Sequence, residues 1–152
     1  MSKIIAIGND HAGFELKKTV TDVLDEYGIE YKDFGCYSTD KAEYPIYAQK
    51  VADAVASNEC ERGILICGTG IGISIAANKV KGIRDAVCTE PLCAKLSRLH
   101  NNSNILAMGA RITGRELAKE ILKAWLDTEF EGDRHQARFD DIKKIEEGKK
   151  LY

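Results

Sequence analysis

Short apolar runs alternate with amphipathic stretches along the chain. Five runs have the length and composition of buried strands, and Gly63–Cys67 (GILIC) is the clearest of them. Each run is followed by a stretch with helical spacing of its apolar positions. The predicted strands are 3–8, 30–34, 63–67, 85–88 and 104–108. The predicted helices are 14–27, 46–57, a helix that follows the turn after the third strand and ends near 79, then 92–99, 116–126 and 139–148.

This alternation predicts an α/β fold with a five-stranded parallel sheet between two layers of helices. Residues 1–152 contain no internal repeat, low-complexity segment or linker, and this length suits one substantial core. We therefore predict a single domain over 1–152.

The composition narrows the class of protein. Apolar residues make up 44% and charged residues 30%, with a net charge of −2, so no overall basic footprint for nucleic acid is present. The apolar run near the N-terminus is too short for a signal peptide or a membrane span. Five cysteines lack zinc-finger or CxxC spacing, which predicts reduced thiols in a cytoplasmic protein. We expect most of them, Cys36, Cys60, Cys88 and Cys93, to be small core residues.

The glycine-rich turn Cys67–Ser74 (CGTGIGIS) leaves the third strand and enters a helix. Its glycines allow backbone N–H groups to converge on a small anion, although a tight strand-to-helix connection would need similar residues. The G-x-G-x-G spacing differs from a dinucleotide fingerprint, and no Gly-Lys-Ser/Thr follows as in a Walker motif. Cys67, at the last position of the strand, is placed to act as a base or nucleophile.

Histidines are few, so their positions are informative. His11 follows the first strand, and His100 ends the helix after the fourth strand. We expect these two near a strand end or a loop that faces it. The third, His135, lies in a basic segment. Their spacing contains no HExxH or facial-triad pattern, so no metal site is predicted.

Three arginines are candidate phosphate ligands. Arg134 and Arg138 are four residues apart and share one face of a helix, and Arg111 follows the fifth strand. Guanidinium groups bind phosphate in a bidentate manner. The alternative is a solvated basic face neutralised by Asp140 and Asp141.

Five segments together resemble the ribose-5-phosphate isomerase B family over nearly the whole chain. They are Asn9–Phe14 (NDHAGF), Tyr44-Pro45, Ile66–Ser74 (ICGTGIGIS), Ser97–Asn101 (SRLHN) and Gly132–His135 (GDRH). The resemblance implies a Rossmann-like α/β/α sandwich and the interconversion of ribose 5-phosphate and ribulose 5-phosphate through a cis-enediolate, with no metal and no cofactor. It also implies a homodimer with the active site between the subunits and a C-terminal helix that contributes to the dimer. It leaves open whether two dimers associate into a tetramer.

The resemblance further implies roles for individual residues. Cys67 would be the base, Thr69 would assist proton exchange, and His100, partnered by Asp10, would open the sugar ring. One branch of the family has a glutamate base at the position of Ile73, which cannot titrate here. The remaining residues implied in substrate binding are the turn amides of Gly68, Gly70, Ile71, Gly72 and Ile73, then Asn101 for the open chain, and His11, Arg111, Arg134 and Arg138 for the phosphate.

Two alternatives stay open at this point. One is an isomerase of a hexose 6-phosphate such as allose 6-phosphate or galactose 6-phosphate, because sequence does not measure the length of a sugar pocket. The other is a flavin- or nucleotide-binding module that uses the turn after the third strand.

Overall fold

The computed structural model describes residues 3–152. Strands and helices alternate along the chain, and a 3-10 turn at His11–Gly13 follows the first strand. The strands are β1 (Ile5–Asn9), β2 (Tyr31–Asp33), β3 (Arg62–Cys67), β4 (Asp85–Val87) and β5 (Ile105–Gly109). The helices are α1 (Phe14–Glu26), α2 (Tyr44–Ala56), α3 (Ile71–Ala77), α4 (Pro91–Asn101), α5 (Arg115–Leu126) and α6 (Arg134–Glu146).

The five strands form one parallel sheet in the order β2-β1-β3-β5-β4. This confirms the predicted α/β class. The chain moves outward from β1 in one direction to β2 and in the other to β3, so the strand order reverses between them. In open sheets of this kind, ligands bind beyond the carboxyl ends of the strands at such a reversal.

Each face of the sheet has its own hydrophobic core. On one face, Leu16 and Val20 of α1, Ala94 of α4 and Trp125 of α5 pack together with strand residues. On the other face, Ala48 and Val51 of α2 and Ile73 of α3 do the same. The result is three layers, as predicted. Within residues 3–152, no helix is both long and apolar enough to cross a bilayer.

Two helices begin earlier than predicted. Helix α2 starts at Tyr44 rather than 46, with Pro45 in its first turn, where its missing N–H costs nothing. Helix α6 starts at Arg134 rather than 139 because its first turn is polar, and an apolar spacing pattern cannot detect it.

The cysteines are free, and four of the five are buried. Cys36, Cys60 and Cys88 are core residues, as predicted. The same prediction for Cys93 is wrong, because this thiol is exposed in the first turn of α4. There the Glu90 carboxylate accepts the backbone N–H groups of Leu92 and Cys93, which fixes the start of the helix at the protein surface.

Candidate active site

The glycine turn is held in a shape that only glycine permits at its centre. Gly70 has a φ of +80°, and a β-carbon there would lie 2.9 Å from the carbonyl carbon of Met108 on β5. A β-carbon on Gly109 would lie 2.6 Å from Cα of Thr69. The turn therefore rests directly on the backbone at the end of β5.

Cys67 is buried at the end of β3 and faces this turn. The backbone N–H of Gly70 donates to Sγ of Cys67 at 3.2 Å. A donor aimed at the sulfur stabilises negative charge on it. The hydroxyl of Thr69 accepts the backbone N–H of Ile71 at 3.2 Å, so Thr69 also helps to fix the turn.

Two side chains cover the turn from either side. A β-carbon on Gly68 would lie 3.2 Å from Nη1 of Arg111, which places the guanidinium over the turn. A β-carbon on Gly72 would lie 3.1 Å from the hydroxyl oxygen of Tyr44. Sequence reasoning did not include Tyr44 among the site residues, because its position at the start of α2 gave no sign that its ring reaches Gly72.

Asp10 and His11 lie beside the turn, at the end of β1. Oδ1 of Asp10 accepts the backbone N–H groups of Ala12 and Gly13 at 3.0 and 3.1 Å, which caps the 3-10 turn. Nδ1 of His11 lies 3.1 Å from the backbone nitrogen and 3.2 Å from the carbonyl oxygen of Ala42. This contact leaves Nε2 of His11 available to a ligand. Asp10, His11, Cys67, residues 68–73 and Arg111 are called the carboxyl-edge group below.

The remaining predicted residues lie at the opposite edge of the sheet. Helix α4 begins where β4 ends and runs back, so its C-terminal residues His100 and Asn101 reach the edge where β5 begins. The backbone N–H of Asn104 donates to the carbonyl oxygen of Arg84, next to the start of β4, at 3.0 Å. Four steps of β5 alone span about 13 Å. The expectation for His100 named a strand end without saying which edge of the sheet, and the crossover helix places the residue at the edge where β5 begins.

At that amino edge, His100 stacks on His135 of α6. The ring centroids are 4.2 Å apart, and the ring planes meet at 17°. Arg134 donates to the Glu131 carboxylate at 3.3 Å, and Arg138 follows one turn later on α6. His100, Asn101, Arg134, His135 and Arg138 are called the amino-edge group below.

The environment of His135 favours a neutral ring. Burial, followed by the neighbouring Arg134 and His100, lowers the pKa of His135 below its ordinary value, and Glu131 opposes this only in part. Nε2 of His135 is buried and has no hydrogen-bond partner within the described part of the chain.

The sequence shows His135 only as a neighbour of two arginines and gives no sign of a role for Glu131. The histidine spacing gave no sign of a metal-ligating arrangement, yet the structure brings ligand atoms of His100, Glu131 and His135 within 4.8 Å of one another. The contact joins α4 to α6 across the loop that contains Glu131. The one feature of the sequence that indicates this contact is the polar first turn of α6, which suits a contact with another polar surface.

The sequence model of the ribose/galactose isomerase family matches residues 5–142. This chain belongs to the ribose/galactose isomerase family. Among its members, the chain is 54% identical to ribose-5-phosphate isomerase B of Escherichia coli (strain K12) over 145 residues, which is 95% of this chain and 97% of that relative.

Two further family members bear on the substrate and the fold. The D-erythrulose-4-phosphate isomerase of Pectobacterium atrosepticum is 49% identical over 129 residues, with 84% of this chain and 85% of that relative covered. The solved structure of Clostridium thermocellum ribose-5-phosphate isomerase B superposes with a TM-score of 0.94 at 52% identity, with 95% of this chain and 98% of that chain covered. The fold and the sequence therefore indicate the same family.

Proposed function

We propose that this chain is a single-domain aldose–ketose isomerase that interconverts ribose 5-phosphate and ribulose 5-phosphate by proton transfer through a cis-enediolate. The observation that carries the proposal is the Cys67 thiol at 3.2 Å from the N–H of Gly70, inside a turn built to hold a small anion. The 54% identity to the Escherichia coli enzyme supports the choice of substrate.

The carboxyl-edge group supplies the proton-transfer step. The Cys67 thiolate takes the proton from C2 of the open-chain aldose and returns it to C1, while charge moves onto the carbonyl oxygen. Gly72 and Ile73 lie in the first turn of α3, where N–H groups have no intrahelical acceptor and can bind that oxygen. One preorganised donor of this kind contributes about 3–4 kcal/mol to such a step. Thr69 assists the exchange of the proton.

The amino-edge group supplies ring opening and binding. His100 moves the proton that opens the furanose ring, with Asp10 as its partner, and Asn101 holds the open chain. Arg134 and Arg138 project from one face of α6 and bind the phosphate together with His11 and Arg111. Contacts on the phosphate orient C1 and C2 toward the Cys67 base.

The opposite placement of the two groups supports a homodimer whose active sites lie between the subunits. Within one chain, about 13 Å of sheet separates the two edges, so one sugar phosphate cannot bridge them easily. In a two-fold dimer, the carboxyl-edge group of each subunit meets the amino-edge group of the other, which creates two identical sites. Exposed apolar side chains at the start of α2 and on α3, Ile46, Ile71 and Ile75, suit such a contact.

Complementation between two inactive variants tests the shared site. Cys67→Ala and His100→Asn are each expected to abolish turnover. After unfolding and refolding an equal mixture, half of the dimers contain one subunit of each kind, and each of those has one intact site. The mixture should recover about a quarter of wild-type activity. Confirmed exchange of subunits without recovery would contradict the shared site.

Steady-state kinetics tests the roles within the site. Cys67→Ala should retain binding of ribose 5-phosphate while kcat is lost, whereas Arg134→Ala should chiefly raise KM. Asp140→Ala, one turn beyond Gln136 on α6, serves as a surface control. A normal rate in Cys67→Ala would end the proposed mechanism, and an unchanged KM in Arg134→Ala would remove that arginine from the phosphate site.

A substrate panel tests the sugar. Turnover is measured in parallel with ribose 5-phosphate, allose 6-phosphate, galactose 6-phosphate and erythrulose 4-phosphate, the last because of the Pectobacterium relative. We expect the highest kcat/KM for ribose 5-phosphate. The five unpaired thiols are consistent with a reducing compartment, and we propose the cytoplasm.

A further inference from the structure

We propose that His100, Glu131 and His135 form a binding site for a borderline-soft divalent ion, with Zn²⁺ as the preferred ion, and that the bound ion inhibits the isomerase. This inference rests in part on the function proposed above, because inhibition follows from the role of His100 in ring opening. Binding of the ion does not depend on that role.

The donor set matches the ion. Two imidazoles and one carboxylate offer ligand atoms that lie within 4.8 Å of one another, and Nε2 of His135 lies 4.0 Å from Oε2 of Glu131. Zinc binds such atoms at about 2.0–2.2 Å, and tetrahedral geometry then places ligand atoms roughly 3.3 Å apart. The distances between ligand atoms therefore have to shorten by about 1 Å, and the His100 ring also has to turn toward the ion.

His135 provides the fixed ligand. The residue is 6% exposed, and its Nε2 atom is buried without a hydrogen-bond partner in residues 3–152. A buried unpaired nitrogen costs free energy unless a ligand or water satisfies it.

His100 is the mobile ligand. Its ring is stacked almost parallel to that of His135, so the two nitrogens cannot both point at one ion in this arrangement. His100 has to turn about its side-chain torsions, which partly exposed side chains do on a nanosecond timescale. An ion bound in this way would occupy a nitrogen of His100 and hold the ring away from the orientation that serves the sugar.

Two consequences follow for activity. Zn²⁺ should inhibit reversibly, with recovery after addition of a chelator. Inhibition should also weaken as ribose 5-phosphate is raised, because sugar and ion compete for His100. Mg²⁺ should not inhibit, since it prefers oxygen ligands and retains its water.

Co²⁺ binding measured by visible absorption tests the site without any need for isomerase activity. The wild type should bind Co²⁺ with d–d bands of a site containing nitrogen and oxygen ligands, and Zn²⁺ should displace it. Glu131→Gln and His135→Asn should each weaken binding by more than the roughly 10- to 100-fold that loss of an outer-shell partner costs, and the Zn²⁺ concentration for half inhibition should rise by the same factor. Glu129→Gln, on the same loop, is the matched control and should leave Co²⁺ affinity unchanged.

Cysteine thiolates are the alternative ligands for the cobalt ion, and the same experiment distinguishes them from the three proposed ligands. A thiolate-to-cobalt charge-transfer band, or binding that persists in Glu131→Gln and His135→Asn but disappears in Cys67→Ala or Cys93→Ser, would overturn the proposal. Binding at the three residues without inhibition would overturn its second half and also count against His100 as the ring-opening group. A chain with no isomerase activity on any substrate would leave the Co²⁺ spectra to decide the site alone.

Discussion

Replacement of Gly109 by alanine should push the glycine turn of the active site away from β5. The new β-carbon would lie 2.6 Å from both Cα and the carbonyl oxygen of Thr69. Carbon atoms in contact normally stay about 3.5–4.0 Å apart, so roughly 1 Å of extra space has to open between β5 and the glycine turn. The obstacle is backbone on both sides, which cannot rotate away.

Both stability and catalysis should respond. Overpacking of this kind costs about 1–3 kcal/mol of unfolding free energy. A shift of about 1 Å in the turn moves its N–H donors and the Cys67 sulfur relative to the enediolate oxygen. Misplacement of that size lowers the rate about 100-fold. We expect the larger loss in kcat and a smaller rise in KM, because Arg134 and Arg138 bind the phosphate from α6 and only Arg111 lies over the displaced turn.

Urea unfolding and steady-state kinetics with ribose 5-phosphate measure the two effects. Gly114→Ala is the matched control, since no atom lies within 4 Å of a β-carbon there and Gly114 has a φ of −73°. As the N-cap of α5 it should lose at most about 1 kcal/mol of stability, with kcat unchanged.

A Gly109→Ala enzyme that retains wild-type kcat would refute the link between the β5 contact and the geometry of the turn. Loss of kcat in Gly114→Ala as well would show that the assay responds to general destabilisation rather than to the turn.

Two further predictions concern buried polar groups outside the active site. Both carboxyl oxygens of Asp85 are buried without a partner among residues 3–152, and burial raises its pKa to about 8. Between about pH 4 and 8 the folded state then holds one proton more than the unfolded state. The free energy of unfolding therefore falls with rising pH by up to about 1.4 kcal/mol per pH unit. Asp85→Asn should flatten this slope in urea titrations at pH 5 and 7.5. An identical slope in both proteins would contradict the burial argument. The hydroxyl of Ser103 accepts the Nε1–H group of Trp125 at 2.9 Å and lies 2.8 Å from the hydroxyl of Ser97. Ser103→Ala should therefore lose about 1–3 kcal/mol of unfolding free energy, because the indole donor is left without its acceptor. The control Ser57→Ala, at an exposed residue, should change the unfolding free energy little. Equal losses in the two serine variants would contradict the second prediction.

The sheet could be predicted well because its signal is local. Buried parallel strands require continuous apolar runs, so β3 was predicted to within one residue, as Gly63–Cys67 against Arg62–Cys67. The glycine turn was equally visible, since close backbone approach admits no other residue. The strand order was not predicted, because pairing between β3 and β5 depends on contacts across more than forty residues.

The contacts within the amino-edge group could not be predicted from local sequence patterns. His100 and His135 carry no pattern that relates them, and their stacking depends on how α6 docks against α4. The sequence predicts that His100 ends the helix after the fourth strand, but it does not show at which edge of the sheet that helix ends. The direction of the crossover helix, which brings His100 to the amino edge, is a property of the whole fold.

The uneven burial of the cysteines determines which thiol a reagent meets first. Cys93 is exposed, whereas Cys67 is 5% exposed beneath the turn. The neighbouring Glu90 raises the pKa of Cys93 by hydrogen bonding and by its charge, so alkylation of this thiol is slow at neutral pH and faster in mild alkali. A bulky thiol-selective reagent should therefore attach a single probe at the start of α4, the helix that ends in His100. Loss of activity after thiol modification points to Cys67 only in a protein that lacks Cys93.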